Sequence, residues 1–173
     1  RVLTNSGSAA MGYGLPAAIG TYFASNNDSR IICIEGDGSI QMNIQELQTI
    51  VHHNLPIKIF VYNNAGYVSI RLTQESLFQG RCVASGVDSG VSCPDFVKIG
   101  KAYGIKTARI KSNSNLSNKI QKIFNEKGPI ICQIDVDPKM QFLPKASSKQ
   151  LSNGSFVSRP LEDMYPFLPE DEL

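Results

Sequence analysis

Short apolar segments rich in β-branched residues alternate along the chain with segments whose apolar positions follow helical spacing. This βαβα order predicts a doubly wound α/β domain, in which a parallel sheet carries helices on both faces. The predicted strands are RVLTN at 1–5, RIICIEG at 30–36, IKIFVYNN at 57–64, IKTARI at 105–110 and PIICQIDVD at 129–137. The predicted helices are PAAIGTYFAS at 16–25, MNIQELQTIVHH at 42–53, PDFVKIGKAYG at 94–104 and NLSNKIQKIFNEK at 115–127.

The alternating pattern ends near Pro138. The segment PKASSKQLSNGS is typical of a polar loop, and LEDMYPFLPEDEL follows it as a short tail. A chain of 173 residues with 42% hydrophobic content suits one well-buried domain better than two. We therefore expect a single domain over 1–140, followed by a C-terminal loop and tail over 141–173.

Composition indicates which classes of partner and which cellular compartment are expected. The 17 basic and 15 acidic residues give a net charge of +2, which is too small to indicate a nucleic-acid partner. No apolar run is long enough for a membrane span, and no signal sequence opens the chain. The four cysteines lack CxxC spacing, which favours a reducing, cytoplasmic location. The terminal EDEL is similar to an ER-retention tetrapeptide, but without a signal sequence that interpretation is weak.

Candidate chemistry begins in EGDGSIQMN, at residues 35–43. Ligands in parallel α/β sheets lie beyond the carboxyl ends of the strands, where Asp37 ends one apolar run and Asn63 and Asn64 end the next. Glycines beside Asp37 would let backbone amides approach an anion. A carboxylate would repel phosphate unless a divalent cation lay between them, and Asp37 and the Asn64 amide are suitable ligands for Mg²⁺.

These residues also carry a family resemblance. GDGS is followed by NN, with Asn64 27 positions after Asp37, and the likeness extends to SAAMGYGLPAAIG, MNIQELQTI and PIICQIDVD. Over about residues 1–140 the chain resembles the C-terminal thiamine diphosphate-binding domain of the acetolactate synthase and pyruvate decarboxylase superfamily. The resemblance implies thiamine diphosphate and Mg²⁺ as cofactors.

The resemblance also implies individual roles. The metal would be held by the side chains of Asp37 and Asn64 and by the backbone carbonyl of Gly66. Gly38 and Ser39 would contact the diphosphate of the cofactor, and Gly36 is also a cofactor-binding residue by this resemblance. Met11 would pack under the thiazolium and, with the backbone of Ala9, hold the aminopyrimidine.

Departures from the family limit what this implies about the reaction. Decarboxylase-like members carry a catalytic glutamate where this chain has Ile70, and acetolactate synthases carry methionine and tryptophan where it has Ser69 and Thr73. The resemblance therefore implies a synthase-like enzyme that decarboxylates a 2-oxo acid and transfers the carbanion to a carbonyl acceptor. The catalytic residues are not identified, because the cofactor-activating glutamate belongs to an N-terminal domain in this family.

Because that domain is absent and Arg1 is not an initiator, we expect a C-terminal part of a longer subunit, in a homo-oligomer that is a dimer or tetramer. A separate small subunit of a two-chain decarboxylase and a non-catalytic cofactor-binding subunit are the alternatives.

Some residues also allow less specific interpretations. GYGLPA, from Gly12 to Ala17, fits the GxGxxA pattern of nicotinamide-binding proteins, but its distance from the preceding predicted strand disfavours that function. GDG and NN taken separately are ordinary turn residues, and Met11 could be a core side chain. The solvated or surface residues are expected to be His52, His53, Glu46 and Glu75.

Overall fold

The computed structural model describes residues 1–5, 7–25, 29–141, 143–169 and 172. The chain forms two compact units, Arg1–Pro138 and Lys139–Leu173. Three of the four residues of EDEL lie outside the described residues. No helix among the described residues is long and apolar enough to cross a membrane.

The first unit is built on a sheet of four parallel strands. They are β1 (Ile32–Gly36), β2 (Lys58–Asn63), β3 (Lys106–Ile110) and β4 (Ile130–Asp135), arranged in the order β1-β2-β4-β3. The register sets Gly36 opposite Tyr62, and Asn63 opposite Asp135. Because the strands are parallel, their carboxyl ends lie along one edge of the sheet, where the predicted site residues follow β1 and β2.

In the described part of the first unit, six helices connect and cover the strands. They are α1 (Gly14–Ala24), α2 (Asp37–Ile40), α3 (Glu46–His52), α4 (Val68–Leu77), α5 (Phe96–Ala102) and α6 (Leu116–Asn125), with short 3₁₀ turns at Gln41–Asn43 and Val87–Ser89. Pro16 stands in the first turn of α1, where a missing N–H costs no hydrogen bond. At α5 the Asp95 side chain caps the helix by accepting from the Lys98 amide at 3.0 Å.

Two hydrophobic clusters lie on opposite faces of the sheet. On one face, Leu15, Leu47 and Phe96 from three different helices pack in a cluster with strand residues such as Ile59 and Ile131. On the other, Ile123 of α6 packs in a cluster with Phe60, Ile110 and Cys132. Because both faces of the sheet are packed in this way, β2 and β4 carry apolar residues on both sides. The predicted α/β class, with a parallel sheet and helices, is confirmed.

One predicted strand is wrong, and one helix was missed. Residues 1–5 form no strand, and Val2 and Leu3 are 85% and 55% exposed. A strand depends on its neighbour more than on intrinsic propensity, and no described residue pairs with this segment. Conversely, α4 was not predicted, because its only buried residue is Val68 and its apolar pattern is correspondingly weak.

The second unit contains a small antiparallel ladder where only a loop and tail were predicted. Strands β5 (Ser148–Gln150) and β6 (Phe156–Ser158) pair with each other. Asp163 is fully buried, accepts from the Leu168 amide at 2.8 Å, and forms an ion pair with Arg159. Hydrogen bonds from Leu168 and Arg159 outweigh burial and lower the pKa of Asp163.

Candidate functional site

Asp37 stands at the junction of β1 and α2 and is fully buried. Its Oδ1 accepts from the Gly38 amide at 2.8 Å, and its Oδ2 accepts from the Gly66 amide at 3.0 Å. The second bond connects the end of β1 to the turn after β2. Two backbone amides therefore satisfy this buried carboxylate.

The turn after β2 needs glycine at position 66. Ala65 has a φ of 62° and Gly66 a φ of 132°, the latter outside the range that L residues adopt readily. A Cβ on Gly66 would lie 2.7 Å from the carbonyl oxygen of Ser85. The same segments are joined by a hydrogen bond from the Tyr67 amide to the Ser85 carbonyl at 2.9 Å. This backbone packing fixes the position of the Gly66 carbonyl.

The Asn64 amide, the Asp37 carboxylate and the Gly66 carbonyl meet beside this turn. One terminal atom of the Asn64 amide lies 2.9 Å from the Gly66 carbonyl oxygen and 3.2 Å from Asp37 Oδ1. With its nitrogen at that position, the amide donates a hydrogen bond to both oxygens. With its oxygen there, the three oxygens would need a divalent cation between them. Octahedral Mg²⁺ binds oxygens at about 2.1 Å, which places neighbouring ligands about 3.0 Å apart.

The donor set therefore fits Mg²⁺. It consists of one carboxylate, one amide and one carbonyl, all hard oxygen ligands. No group of three or more His, Cys, Asp or Glu side chains that could hold a metal occurs in the described part of the chain. A cation here would thus depend on the amide and carbonyl as much as on Asp37.

The two glycines that flank Asp37 differ in their surroundings. A Cβ on Gly38 would collide with the ring of Tyr67, whereas one on Gly36 would meet nothing within 4 Å. Ser39 is half-buried, and its Oγ accepts from the Gly12 amide at 3.0 Å. Packing thus explains Gly38 but leaves Gly36 without a structural reason in this chain.

Ala9 and Met11 lie on the segment that precedes α1. Ala9 has a φ of 48°, and Met11 is 43% exposed. Both line a cavity of about 670 Å³ together with Ser39 and Glu35. The structure thus brings the predicted ring contacts and a predicted diphosphate contact to one cavity. Asp37, which lies between Glu35 and Ser39 in the sequence, joins Asn64 and Gly66 in the neighbouring cluster. A smaller cavity, of about 290 Å³ near Phe78, contains no predicted site residue.

The loop before α1 is held by three side chains of the segment 35–43. Ser39 accepts from Gly12 as described, Asn43 Nδ2 donates to the Gly12 carbonyl at 3.0 Å, and Glu35 Oε1 accepts from the Gly14 amide at 2.5 Å. Sequence reasoning missed Glu35 and Asn43. The one sequence feature that could have pointed to them is their position four residues before and four residues after Ser39.

A further missed residue is Cys93, which approaches the cluster from the segment before α5. Its Sγ accepts from Gln41 Nε2 at 3.4 Å. Burial and the neighbouring Asp37 carboxylate raise the pKa of the Cys93 thiol to about 12. The thiol is therefore protonated at neutral pH.

An ion network anchors α5 to the same edge of the sheet. The fully buried Gln133 accepts from the Phe96 amide at 2.9 Å and donates to Asp135 at 2.8 Å. Arg109 bridges Asp135, at 2.9 Å, and Asp95, at 3.2 Å. Burial alone would raise the pKa of Asp135, but hydrogen bonds from Arg109 and Gln133 hold it below its ordinary value.

The positions where this chain departs from the acetolactate synthases and the decarboxylase-like members lie on α4. Ser69 and Thr73 are exposed, and the Thr73 hydroxyl donates to the Ser69 carbonyl at 3.0 Å. Ile70 is 42% exposed. The residues expected to be solvated or at the surface lie outside the cluster: His52 and His53 are exposed, Glu75 is exposed, and Glu46 accepts from Thr49.

Comparison with known proteins adds a family match and close relatives. Residues 1–134 match the family described as thiamine pyrophosphate enzyme, C-terminal TPP binding domain. The acetolactate synthase large subunit of Cyanidium caldarium is 44% identical over 129 residues, covering 75% of this chain and 22% of that protein. The acetolactate synthase large subunit of Haemophilus influenzae is 32% identical over 162 residues, covering 93% of this chain and 28% of that protein.

A solved structure shares the fold. The thiamine diphosphate-dependent 4-hydroxybenzoylformate decarboxylase of Rhodococcus jostii RHA1 superposes with a TM-score of 0.67 and 25% identity, covering 75% of this chain and 24% of that one. The chain thus spans about a quarter of the length of the relatives that it matches.

Proposed function

The chain belongs to the thiamine pyrophosphate enzymes through their C-terminal cofactor-binding domain, and from that premise we propose that it holds thiamine diphosphate by its diphosphate, through Mg²⁺. The observation that carries the proposal is that the Asn64 amide lies 2.9 Å from the Gly66 carbonyl oxygen and 3.2 Å from Asp37 Oδ1, which is the spacing of neighbouring Mg²⁺ ligands. These three residues would hold the metal. Gly38 and Ser39 would contact the diphosphate, and Gly36 would also bind the cofactor.

The segment before α1 would contact the thiazolium and aminopyrimidine rings of the cofactor. Met11 would pack under the thiazolium, and the backbone of Ala9 would help to hold the aminopyrimidine. Their place in the same cavity as Ser39 supports this division, because one elongated ligand could then reach all three residues. When bound, thiamine diphosphate supplies the nucleophilic carbon and the electron sink for decarboxylation. This chain's own part is to bind and orient it.

The whole enzyme is proposed to be acetolactate synthase-like. It would decarboxylate a 2-oxo acid and transfer the resulting carbanion to a carbonyl acceptor, as a homo-oligomer in which N-terminal domains supply the activating glutamate. The relatives named as acetolactate synthases support the ligating reaction, and so does isoleucine at position 70, where decarboxylase-like members carry an acid. The cytoplasmic location remains a prediction from the sequence.

Asp37 provides the test. In the complete enzyme, Asp37→Ala should abolish the Mg²⁺-dependent part of thiamine diphosphate binding, measured by calorimetric titration with and without Mg²⁺. The exposed Asp88 offers a matched control, and Asp88→Ala should bind as the wild type does. If Asp37→Ala keeps its Mg²⁺-dependent affinity, the assignment of the metal site is wrong.

The alternatives differ in what accompanies the chain. A small subunit of a two-chain decarboxylase, or a non-catalytic cofactor-binding subunit, would share the same metal site. The gene sequence upstream of Arg1 separates them, since only the proposed enzyme requires an activating glutamate encoded in the same subunit.

A further inference from the structure

The loop from Met11 to Gly14 runs against the segment that carries Asp37. Within that segment Glu35, Ser39 and Asn43 recur at intervals of four residues. Residues 37–43 form α2 and the 3₁₀ turn after it, so Ser39 and Asn43, four residues apart, fall on the same side. Glu35 precedes them near the end of β1. All three reach the same loop, as the hydrogen bonds to Gly12 and Gly14 demonstrate.

The three bonds hold a very short piece of backbone. Both backbone polar groups of Gly12 are hydrogen-bonded, since its amide donates to Ser39 and its carbonyl accepts from Asn43, each at 3.0 Å. The Gly14 amide, the first of α1, donates to Glu35 at 2.5 Å. A carboxylate at a helix N-terminus is also favoured by the helix dipole. Neither Glu35 nor Asn43 is fully exposed.

The glycines of this loop are required by the same contact. Gly12 has a φ of 83°, and a Cβ on it would lie 2.6 Å from Met42 Cβ. A Cβ on Gly14 would collide with the Glu35 carboxylate. The GYG sequence is thus accounted for by close packing on the segment 35–43. A nicotinamide cofactor is not needed to explain it.

We propose that Glu35 and Asn43 are positioning residues that hold the Met11 loop against the diphosphate-binding segment. The inference rests on the proposed function. Met11 and Ala9 would contact the rings of the cofactor, whereas Asp37 and its neighbours would contact the diphosphate. Glu35 and Asn43 therefore set the separation between the two parts of the site without touching the metal ligands themselves.

Two probes separate this role from a general structural one. Thiamine diphosphate engages both parts of the site, and inorganic pyrophosphate engages only the diphosphate part. Calorimetric titration of the complete enzyme with each probe, in the presence of Mg²⁺, gives a ratio of affinities. Losing one well-formed hydrogen bond commonly weakens binding by about five- to tenfold.

Asn43→Ala and Glu35→Ala should each weaken thiamine diphosphate binding by about five- to tenfold, and change pyrophosphate binding by less than about twofold. Glu35→Gln keeps an acceptor for the Gly14 amide and should restore most of the lost affinity. Asn118→Ala is the matched control, because Asn118 is exposed on α6 and bonds only locally to Asn115. It should leave both affinities unchanged.

Equal losses for the two probes would overturn the inference, because they would indicate damage to the whole site. Unchanged thiamine diphosphate affinity in Asn43→Ala and Glu35→Ala would also overturn it. Failure of the wild-type enzyme to bind thiamine diphosphate at all would instead overturn the proposed function, and this inference with it.

Discussion

Substituting Gly66 by alanine tests the geometry of the candidate metal site most sharply, because two independent penalties coincide there. The φ of 132° is unfavourable for alanine, at a cost of about 1 to 3 kcal/mol. The new Cβ would lie 2.7 Å from the Ser85 carbonyl oxygen, which is backbone and cannot rotate away. Overpacking of this kind costs about 1 to 3 kcal/mol. After partial relaxation we expect a loss of roughly 2 to 4 kcal/mol.

Urea denaturation followed by circular dichroism measures this loss. For a slope of about 2 kcal/mol/M, the midpoint should fall by roughly 1 to 2 M. Two controls separate the penalties. Gly90→Ala has a φ of 95° with nothing within 4 Å of the new Cβ, so it carries the backbone cost alone. Gly38→Ala lacks a positive φ but collides with the Tyr67 ring, so it carries the steric cost alone.

The same variant should also lose cofactor affinity, because displacing the Gly66 backbone moves both its carbonyl and its amide, which donates to Asp37. The reasoning is refuted if Gly66→Ala is no less stable than Gly90→Ala. It is also refuted if Gly66→Ala binds thiamine diphosphate with undiminished dependence on Mg²⁺.

Three other predictions concern different parts of the chain. The pKa of Asp135 is held below its ordinary value of 3.8, so its ion pair with Arg109 stabilises the fold above that pH and is lost on acidification. The loss of stability that Arg109→Gln causes, measured by urea denaturation, should therefore be smaller at pH 3 than at pH 6. An equal loss at both pH values would contradict this. Burial, with a smaller contribution from Glu35, raises the pKa of Cys33 to about 12, so iodoacetamide at pH 8 should label the less buried Cys82 first, as peptide mass spectrometry can establish. Thr73→Trp should increase the complete enzyme's preference for 2-oxobutyrate over hydroxylated aldehyde acceptors by about 1 to 3 kcal/mol. An unchanged preference in a substrate panel would show that residue 73 does not line the substrate-binding pocket.

The strands β2 and β4 were predictable because they are apolar on both faces, and residues from both faces lie in hydrophobic clusters. Ile59, Phe60 and Val61 are consecutive and buried, which is the pattern of a central parallel strand. The first predicted strand was wrong because propensity cannot supply a neighbour: Val2 and Leu3 are apolar but exposed. The helix α4 was missed because Val68 is its only buried residue, so its sequence shows little of the helical spacing of apolar residues.

The candidate site was only partly predictable from the sequence. Placement of Asp37 and Asn64 at adjacent strand ends followed from the parallel order, and the structure brings them within 3.2 Å. Whether they bind a metal stays a prediction. Glu35 and Asn43 were missed because they act on backbone groups of a loop far away in sequence, and residue type alone does not reveal such partners. Cys93 was missed because its approach to Gln41 depends on how the segment before α5 packs.

The central claim is that Asp37, Asn64 and Gly66 hold Mg²⁺ for the diphosphate of thiamine diphosphate. A crystal structure of the complete enzyme with the cofactor, with Mn²⁺ in place of Mg²⁺ to give an anomalous signal, tests it most directly. The account predicts one metal peak bound by Asp37, by the Asn64 amide oxygen and by the Gly66 carbonyl, at about 2.1 Å for Mg²⁺ and slightly longer for Mn²⁺. A metal at another position, or an Asn64 amide turned to donate to the Gly66 carbonyl beside bound cofactor, would contradict it.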